Sequence, residues 1–125
     1  MAKSIPDAII DLMLAEAEGT QIHVCTSQPT SYAEASTNVG SGGYQLANAA
    51  ISGSYTKANG DTSGRKNTLP AQTGLTIDVS GTALHVAVTN GADTLLLVTT
   101  CTSQALTSGG TVDIGAFDHE ISDAT

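Results

Sequence analysis

Four short apolar segments between residues 74 and 117 constrain the fold of this chain most strongly. Within them, apolar side chains recur at every second position, and Gly81, Asn90-Gly91 and Ser108-Gly109-Gly110 punctuate them. Such alternation, interrupted by turn-forming residues, is typical of antiparallel strands joined by tight turns. We therefore predict four strands of one sheet system. The segments are 75–79, 84–88, 95–100 and 112–117.

Segment 95–98, with the sequence Leu-Leu-Leu-Val, departs from that alternation because it is apolar on both strand faces. A central strand buried on both sides explains this pattern, and so does a strand whose outer face meets another subunit. The first explanation is preferred, since strands buried on both faces commonly lack alternation.

Residues 4–17 predict an N-terminal helix. Ser4 can cap it, Pro6 lies in the first turn, where a missing N–H costs nothing, and Asp7 and Asp11 complement the positive end of the helix dipole. The apolar stripe is wide, which predicts a packed helix, either on an open face of the sheet or against a neighbouring subunit. One face holds Ile5, Ile9, Leu12 and Met13, and Ile10 and Leu14 widen it.

The remaining segments alternate between strand-like and polar stretches. Further strands are predicted at 20–26, 44–51 and, as a short strand or sheet edge, 67–70. Segment 31–43 is predicted to be a long surface excursion with one helical turn near Tyr32, and loops of this length are usually functional or ordered by a partner. Segment 57–66 is the most polar one and is predicted to be an exposed loop that carries the basic charge. A tail, 118–125, follows the last strand, which Ile121 can extend.

The length of 125 residues fits one domain, 1–125, that can bury a core. Aromatic residues make up only 3 % of the chain, so the core must be built from Val, Leu, Ile and Ala. Together these patterns predict a mainly β fold, an antiparallel β-sandwich or barrel-like sheet with one N-terminal α-helix. The helix is expected at about 4–17 and the strands from about 20 to 121.

The formal net charge of −8 disfavours a nucleic-acid partner, because four basic residues cannot neutralise a run of phosphates. Carboxylates concentrate near both ends of the chain, whereas Lys57, Arg65 and Lys66 lie in the middle. This asymmetry suits head-to-tail contacts between copies. Two solvated faces without a partner explain it equally well.

No apolar run is long enough to cross a bilayer, and the first residues lack the apolar core of a signal peptide. We therefore expect synthesis in a cytoplasm and no membrane partner. Cys25 and Cys101 are the two cysteines, and a cytosolic setting favours free thiols over a disulfide.

The sequence contains no motif that predicts catalysis or metal binding. Segment 60–66 differs from a phosphate-binding loop in its glycine spacing and in the Asn that follows Lys66. His23, His85 and His119 lack a second ligand at the spacing of a zinc site, and the first two are expected on a strand surface or partly packed. No nucleophile elbow or paired carboxylates occur. We expect a non-enzymatic protein with no catalytic residue, metal, cofactor or small-molecule substrate.

Four short motifs resemble those of small virion structural proteins of tailed bacteriophages, a group usually described as head decoration or structural proteins. The motifs are Ser4-Ile5-Pro6-Asp7-Ala8 before the helix, residues 22–32 (IHVCTSQPTSY), residues 60–66 (GDTSGRK) and residues 116–121 (AFDHEI). The resemblance implies a β-rich accessory protein, made in the host bacterial cytoplasm, that binds the capsid in many copies. It leaves the head surface, the neck and the tail open as locations.

Under this resemblance the expected function is that of a capsid decoration or cement protein, whose partners are the major capsid protein, other copies of itself, or both. A tail or neck component is the alternative. A glycan-binding β-sandwich is more distant, because sugar sites depend on stacked aromatic rings. The predicted contact residues lie in the N-terminal segment, the polar loop and the tail. They are Lys3, Ile5, Lys57, Asp61, Arg65, Lys66, Asp118 and Glu120.

Overall fold

The structure is a computed structural model that describes residues 5–61 and 63–121. It is mainly β, with 49 % strand and 13 % helix, antiparallel sheets and a helix near the N-terminus, so the predicted fold class is confirmed. Over these residues the sheets do not close into a barrel. Neither of the two helices in the described ranges is long and apolar enough to cross a membrane.

Eleven elements follow one another along the described chain. The helices are α1 (Asp7–Glu16) and α2 (Tyr32–Ser36). The strands are β1 (Gln21–Cys25), β2 (Gln45–Ala50), β3 (Thr56–Asn59), β4 (Arg65–Leu69), β5 (Gln72–Thr76), β6 (Gly81–Thr89), β7 (Leu95–Leu106), β8 (Thr111–Ile114) and β9 (Phe117–Ile121).

The chain divides into two compact units. Over the described residues, the first unit is built from 5–18, 52–61, 63–71 and 115–121, and the second from 19–51 and 72–114. The expectation of a single domain over 1–125 stays a prediction.

In the first unit, helix α1 packs on a three-stranded antiparallel sheet of order β3-β4-β9. Ile10 and Leu14, one helical turn apart, are fully buried. The predicted helix is therefore confirmed, but it begins at Asp7 after an N-cap at Pro6 that makes no side-chain hydrogen bond. The proposed cap, Ser4, lies outside the described residues.

Only part of the predicted apolar stripe is packed on the sheet. The buried side chains are Ile10 and Leu14, whereas Ile9, Leu12 and Met13 are 47 %, 64 % and 39 % exposed. The apolar stripe of this ten-residue helix is wider than the side of the helix that contacts the three-stranded sheet, so part of the stripe stays exposed. The periodicity correctly predicted an amphipathic helix, but it did not distinguish the two edges of the stripe.

The predicted polar loop at 57–66 is also wrong, because most of it is the hairpin of β3 and β4. Lys57 pairs with Asn67 and Asn59 with Arg65, and only the short turn between these strands is irregular. Strand β4 is central rather than an edge, because β9 pairs with its other side from Arg65↔Ile121 to Leu69↔Phe117. The predicted tail thus starts as a strand as far as Ile121, and 122–125 lie outside the described residues.

The second unit contains a four-stranded antiparallel sheet of order β2-β1-β6-β7. Strand β1 lies inside it, with Ile22 opposite Ala49 of β2 and Val88 of β6. Strands β6 and β7 form a hairpin, and the Asn90 side-chain oxygen accepts hydrogen bonds from the N–H groups of residues 92, 93 and 94. Gly91 has φ 77° in this turn, so the predicted Asn-Gly turn is confirmed.

The four apolar segments do not form one sheet as predicted. β6 and β7 belong to the four-stranded sheet, β5 and β8 form a separate two-stranded sheet, and Phe117 begins β9 in the first unit. Alternation specifies which residues of a strand share a face, but it does not specify which strands pair.

Segment 31–43 is ordered by the chain itself rather than being a simple surface excursion. Ser31 caps α2 by accepting a hydrogen bond from the Glu34 N–H, and Ala35 is fully buried. Residues 38 and 45 form an isolated bridge at the end of this segment. At Gly43 a side chain would place its Cβ 2.0 Å from the Thr37 carbonyl oxygen, so only glycine fits there.

We predict that Leu14→Ala lowers the free energy of unfolding by about 2–5 kcal/mol, because it opens a cavity under α1. The same substitution at Leu12, in the same helix, should change it by less than about 0.5 kcal/mol, because that side chain is largely in solvent. Urea unfolding of both variants measures the difference. Equal losses would contradict the orientation of the helix.

Candidate interaction surfaces

The structure brings together six of the eight predicted contact residues. Lys57, Asp61, Arg65, Lys66, Asp118 and Glu120 all lie on β3, β4, β9 or the turn between the first two. Ile5 is half-buried just before α1. Lys3 lies outside the described residues.

Arg65 attaches helix α1 to the sheet through two hydrogen bonds. Its Nε lies 2.9 Å from Oδ1 of Asp11, and its Nη2 lies 3.3 Å from Oδ2. The planar guanidinium matches the carboxylate in this forked geometry. The hydrogen bond to Asp11 raises the pKa of Arg65, which stays charged at any physiological pH.

Lys66 lies between two carboxylates. Its Nζ is 2.8 Å from Asp61 in the turn and 3.4 Å from Asp118 on β9. Asp118 also accepts a 2.6 Å hydrogen bond from the Thr68 hydroxyl, and this bond, followed by the charge of Lys66, lowers the pKa of Asp118. Hydrogen bonding to Asp61 raises the pKa of Lys66.

The third basic side chain, Lys57, pairs with Glu18. Glu18 also accepts a 2.9 Å hydrogen bond from the buried side-chain amide of Asn67. Glu120 lies beside the turn, where its Oε1 is 2.6 Å from the position of a Cβ built on Gly60.

The predicted basic surface is therefore largely neutralised within its own unit. Lys57, Arg65 and Lys66 each contact a carboxylate, and their side chains are only 29 %, 20 % and 23 % exposed. These pairs stabilise the attachment of α1 and β9 to β4. The role of the residues in contacts with another protein stays a prediction.

A second candidate surface is the exposed apolar face of α1, a helix for which contact with a neighbouring subunit was one of the two alternatives drawn from the sequence. We define the α1 face as Ile9, Leu12 and Met13, which are related by spacings of three and four residues. Glu16, one turn after Leu12, is also exposed. Such a contiguous apolar stripe with an acidic border is typical of a protein–protein contact.

A third candidate surface is the outer edge of strand β7. This strand ends the order β2-β1-β6-β7, so the preferred explanation of segment 95–98 as a central strand is wrong. Leu95, Leu96, Leu97 and Val98 are all half-buried. The chain covers one side of this strand with β6 and covers its apolar faces only in part.

His23 was predicted on a strand surface or partly packed, but it is completely buried. Its Nδ1 lies 2.7 Å from Oε1 of Gln45 and its Nε2 lies 2.9 Å from the Thr89 hydroxyl, so the ring joins β1 to both neighbouring strands. Gln45 in turn donates to Asn38. Because an amide oxygen accepts, Nδ1 donates to Gln45, and the neutral ring then accepts a hydrogen bond from the Thr89 hydroxyl at Nε2. Burial lowers the pKa of His23, against the opposing effect of the Gln45 hydrogen bond.

Both cysteines are free thiols, Cys25 in the core and Cys101 half-buried on β7. Burial raises the pKa of Cys25 to about 12, and the nearby Cys101 thiol adds to the shift. Within the described ranges, no three His, Cys, Asp or Glu side chains are grouped so that they could hold a metal ion.

Comparison with family models, curated proteins and solved structures finds no match for this chain.

We predict that the protein loses stability as pH falls below the ordinary histidine pKa of about 6.5. Above it, His23 is neutral in both states. Below it, the unfolded chain binds a proton that the native ring resists, so the free energy of unfolding falls by at most about 1.4 kcal/mol per pH unit for this one group.

The midpoints of urea unfolding at pH values from about 7.5 to about 5.5 measure this slope. These pH values lie above the range in which most carboxylates titrate. His119→Gln, a substitution on β9, should retain the slope. NMR of the imidazole C–H groups separates the three rings, and a native His23 signal that titrates like an exposed histidine would refute the buried neutral ring.

Proposed function

We propose that this chain is a non-enzymatic bacteriophage virion structural protein. Its proposed role is that of a capsid decoration or cement protein, bound to the outer head surface in many copies. The four short motifs that resemble small virion proteins support this proposal, and so does the placement of its exposed apolar side chains.

The observation that carries the proposal is the α1 face. Its three apolar side chains point away from the unit while Ile10 and Leu14 fix the helix from beneath. The Arg65–Asp11 fork fixes the same helix electrostatically. A rigid helix with anchors at i, i+3 and i+4 loses little conformational entropy when it docks into an apolar groove.

Charge indicates the kind of groove that fits. Asp7 and Glu16 are exposed near the two ends of α1, and the three basic side chains described above already contact carboxylates. The matching partner surface is an apolar groove with basic residues at its rim, which we assign to the major capsid protein. Binding of this kind stabilises the shell, and the stabilisation rises with the logarithm of the affinity.

The direct test is the protein content of purified particles. Quantitative mass spectrometry of virions that encode this chain should find it in numbers on the order of hundreds per particle, as repeated shell positions require. A number near a dozen would move the protein to a neck or tail ring, the alternative location. Its absence from particles would overturn the proposal.

The contact itself is tested with Leu12→Asp. We predict that this variant keeps the urea midpoint of the unmodified chain, since Leu12 is 64 % exposed, and that its occupancy on particles falls by at least about tenfold, the effect of losing one interface anchor of about 1.4 kcal/mol or more. Thr56→Asp, an exposed position on β3, introduces the same charge as a control and should bind normally. Equal occupancy of both variants would exclude the α1 face.

A further inference from the structure

The four-stranded sheet has two edges, and the chain treats them differently. At the β2 edge, backbone hydrogen bonds join Val39 N–H to Gln45, Gln45 N–H to Thr37, and the N–H groups of Asp78 and Val79 to Leu46. A bridge also pairs Ala47 with Ile77. The backbone of this edge strand is therefore covered by neighbouring segments.

The β7 edge has no such cover. Strand β7 pairs with β6 on one side, and within residues 5–61 and 63–121 no strand or isolated bridge pairs with its other side. A row of backbone N–H and C=O groups is available there over the longest strand of the protein, which has 12 residues. Such an edge is a template for another extended strand.

Strand β7 also lacks the residues that usually protect an edge. Its sequence, LLLVTTCTSQAL, contains no charged residue and no proline. Irregular register with β6 occurs between Thr100 and Gln104 and next to Leu96, and such bulges interrupt pairing. The regular part of the apolar edge is therefore Leu97–Thr100, where the partners on β6 run without a break from Val88 to His85.

From these observations we propose that strand β7 pairs antiparallel with strand β7 of a second copy of this chain, centred within 97–99, to join two four-stranded sheets into one of eight strands. This inference does not depend on the virion assignment. It names self-association as a property of the isolated protein.

The absence of charged residues along this edge makes a second copy a suitable occupant. Two copies with a net charge of −8 each repel one another, so they can approach closely only where carboxylates are absent. All four strands of this sheet, with the sequences QIHVC, QLANAA, GTALHVAVT and LLLVTTCTSQAL, lack Asp and Glu. Pairing along β7 therefore places neutral, half-buried Leu and Val side chains against each other.

Symmetry makes the geometry testable. In an antiparallel pair, residues that lie directly opposite each other have their side chains on the same face of the sheet. When a two-fold axis relates the two strands, one residue therefore lies opposite its own copy, and the axis passes midway between the two. That residue has a Cα separation of about 4.5–5.5 Å from its copy, which a disulfide can span. Its neighbours along the strand are displaced from their own copies by about two strand residues, or about 7 Å, and lie on the opposite face.

The experiment uses three variants that each add one cysteine, Leu97→Cys, Val98→Cys or Thr99→Cys, to a chain carrying Cys101→Ser. Cys25 stays in all of them and is fully buried, so it is not available for cross-linking. Ala50→Cys, at the exposed end of the covered β2 edge, is the matched control. Under mild oxidation, one of the three positions should form a covalent dimer at least about tenfold faster than Ala50→Cys, because pairing raises its effective concentration. Sedimentation velocity from about 10 μM to about 1 mM should show reversible dimers, as expected for a small interface.

Two results would overturn the proposal. One is a chain that stays monomeric over this range and shows no cross-link above the Ala50→Cys rate. The other is a dimer that none of the three β7 cysteines captures, which would place self-association on another surface, such as the α1 face. Normal urea midpoints for the variants establish that each one is folded.

Discussion

The structure depends on how this chain buries apolar surface with almost no aromatic side chains. Strands of four to twelve residues, with Val, Leu, Ile and Ala as their buried side chains, form thin sheets, and a thin sheet covers only one side of an element that packs on it. Helix α1 has more apolar residues than its sheet can cover, so Ile10 and Leu14 are buried while Ile9, Leu12 and Met13 face solvent. Strand β7 repeats the situation at a sheet edge, where both of its apolar faces are only half-buried.

Polar interactions then fix which side of each element faces inward. In the first unit, the Arg65–Asp11 fork and the Lys66 contacts with Asp61 and Asp118 join helix, hairpin and last strand to β4. In the second unit, the buried His23 ring joins β1 to Gln45 on β2 and to Thr89 on β6. A buried polar group is costly unless its partners are in place, so such a network disfavours slipped strand registers.

Much of the fold could be predicted from local patterns. Apolar periodicity correctly predicted the N-terminal helix, β1, β2 and the Asn90-Gly91 hairpin, because these depend on nearby residues. The sheet memberships could not be predicted, since the pairing of β4 with β9 joins residues about fifty positions apart and no local signal encodes it.

The interaction surfaces show the same limit. From the sequence, the charged residues of 57–66 were predicted to be available for contacts with another protein. In the structure their partners include Asp11 and Asp118 of the same chain, which are distant in the sequence. The apolar α1 stripe also left open whether the helix packs on the sheet or against another subunit, because the width of a stripe does not reveal how much of it a neighbour covers. Asp11 lies on the same helix as that stripe. Its carboxylate was the sequence feature that could have indicated a polar contact between α1 and the sheet.

Within residues 5–61 and 63–121, Ile9, Leu12 and Met13 are left exposed, and the proposed function requires another protein to cover them. Hydroxyl-radical footprinting of the isolated protein and of its assembled form tests this claim most directly. We expect Leu12 and Met13 to be oxidised far faster than Ile10 and Leu14 in the isolated protein, and we expect assembly to protect them. Similar labelling of all four residues in the isolated protein, or no protection of Leu12 and Met13 on assembly, would contradict it.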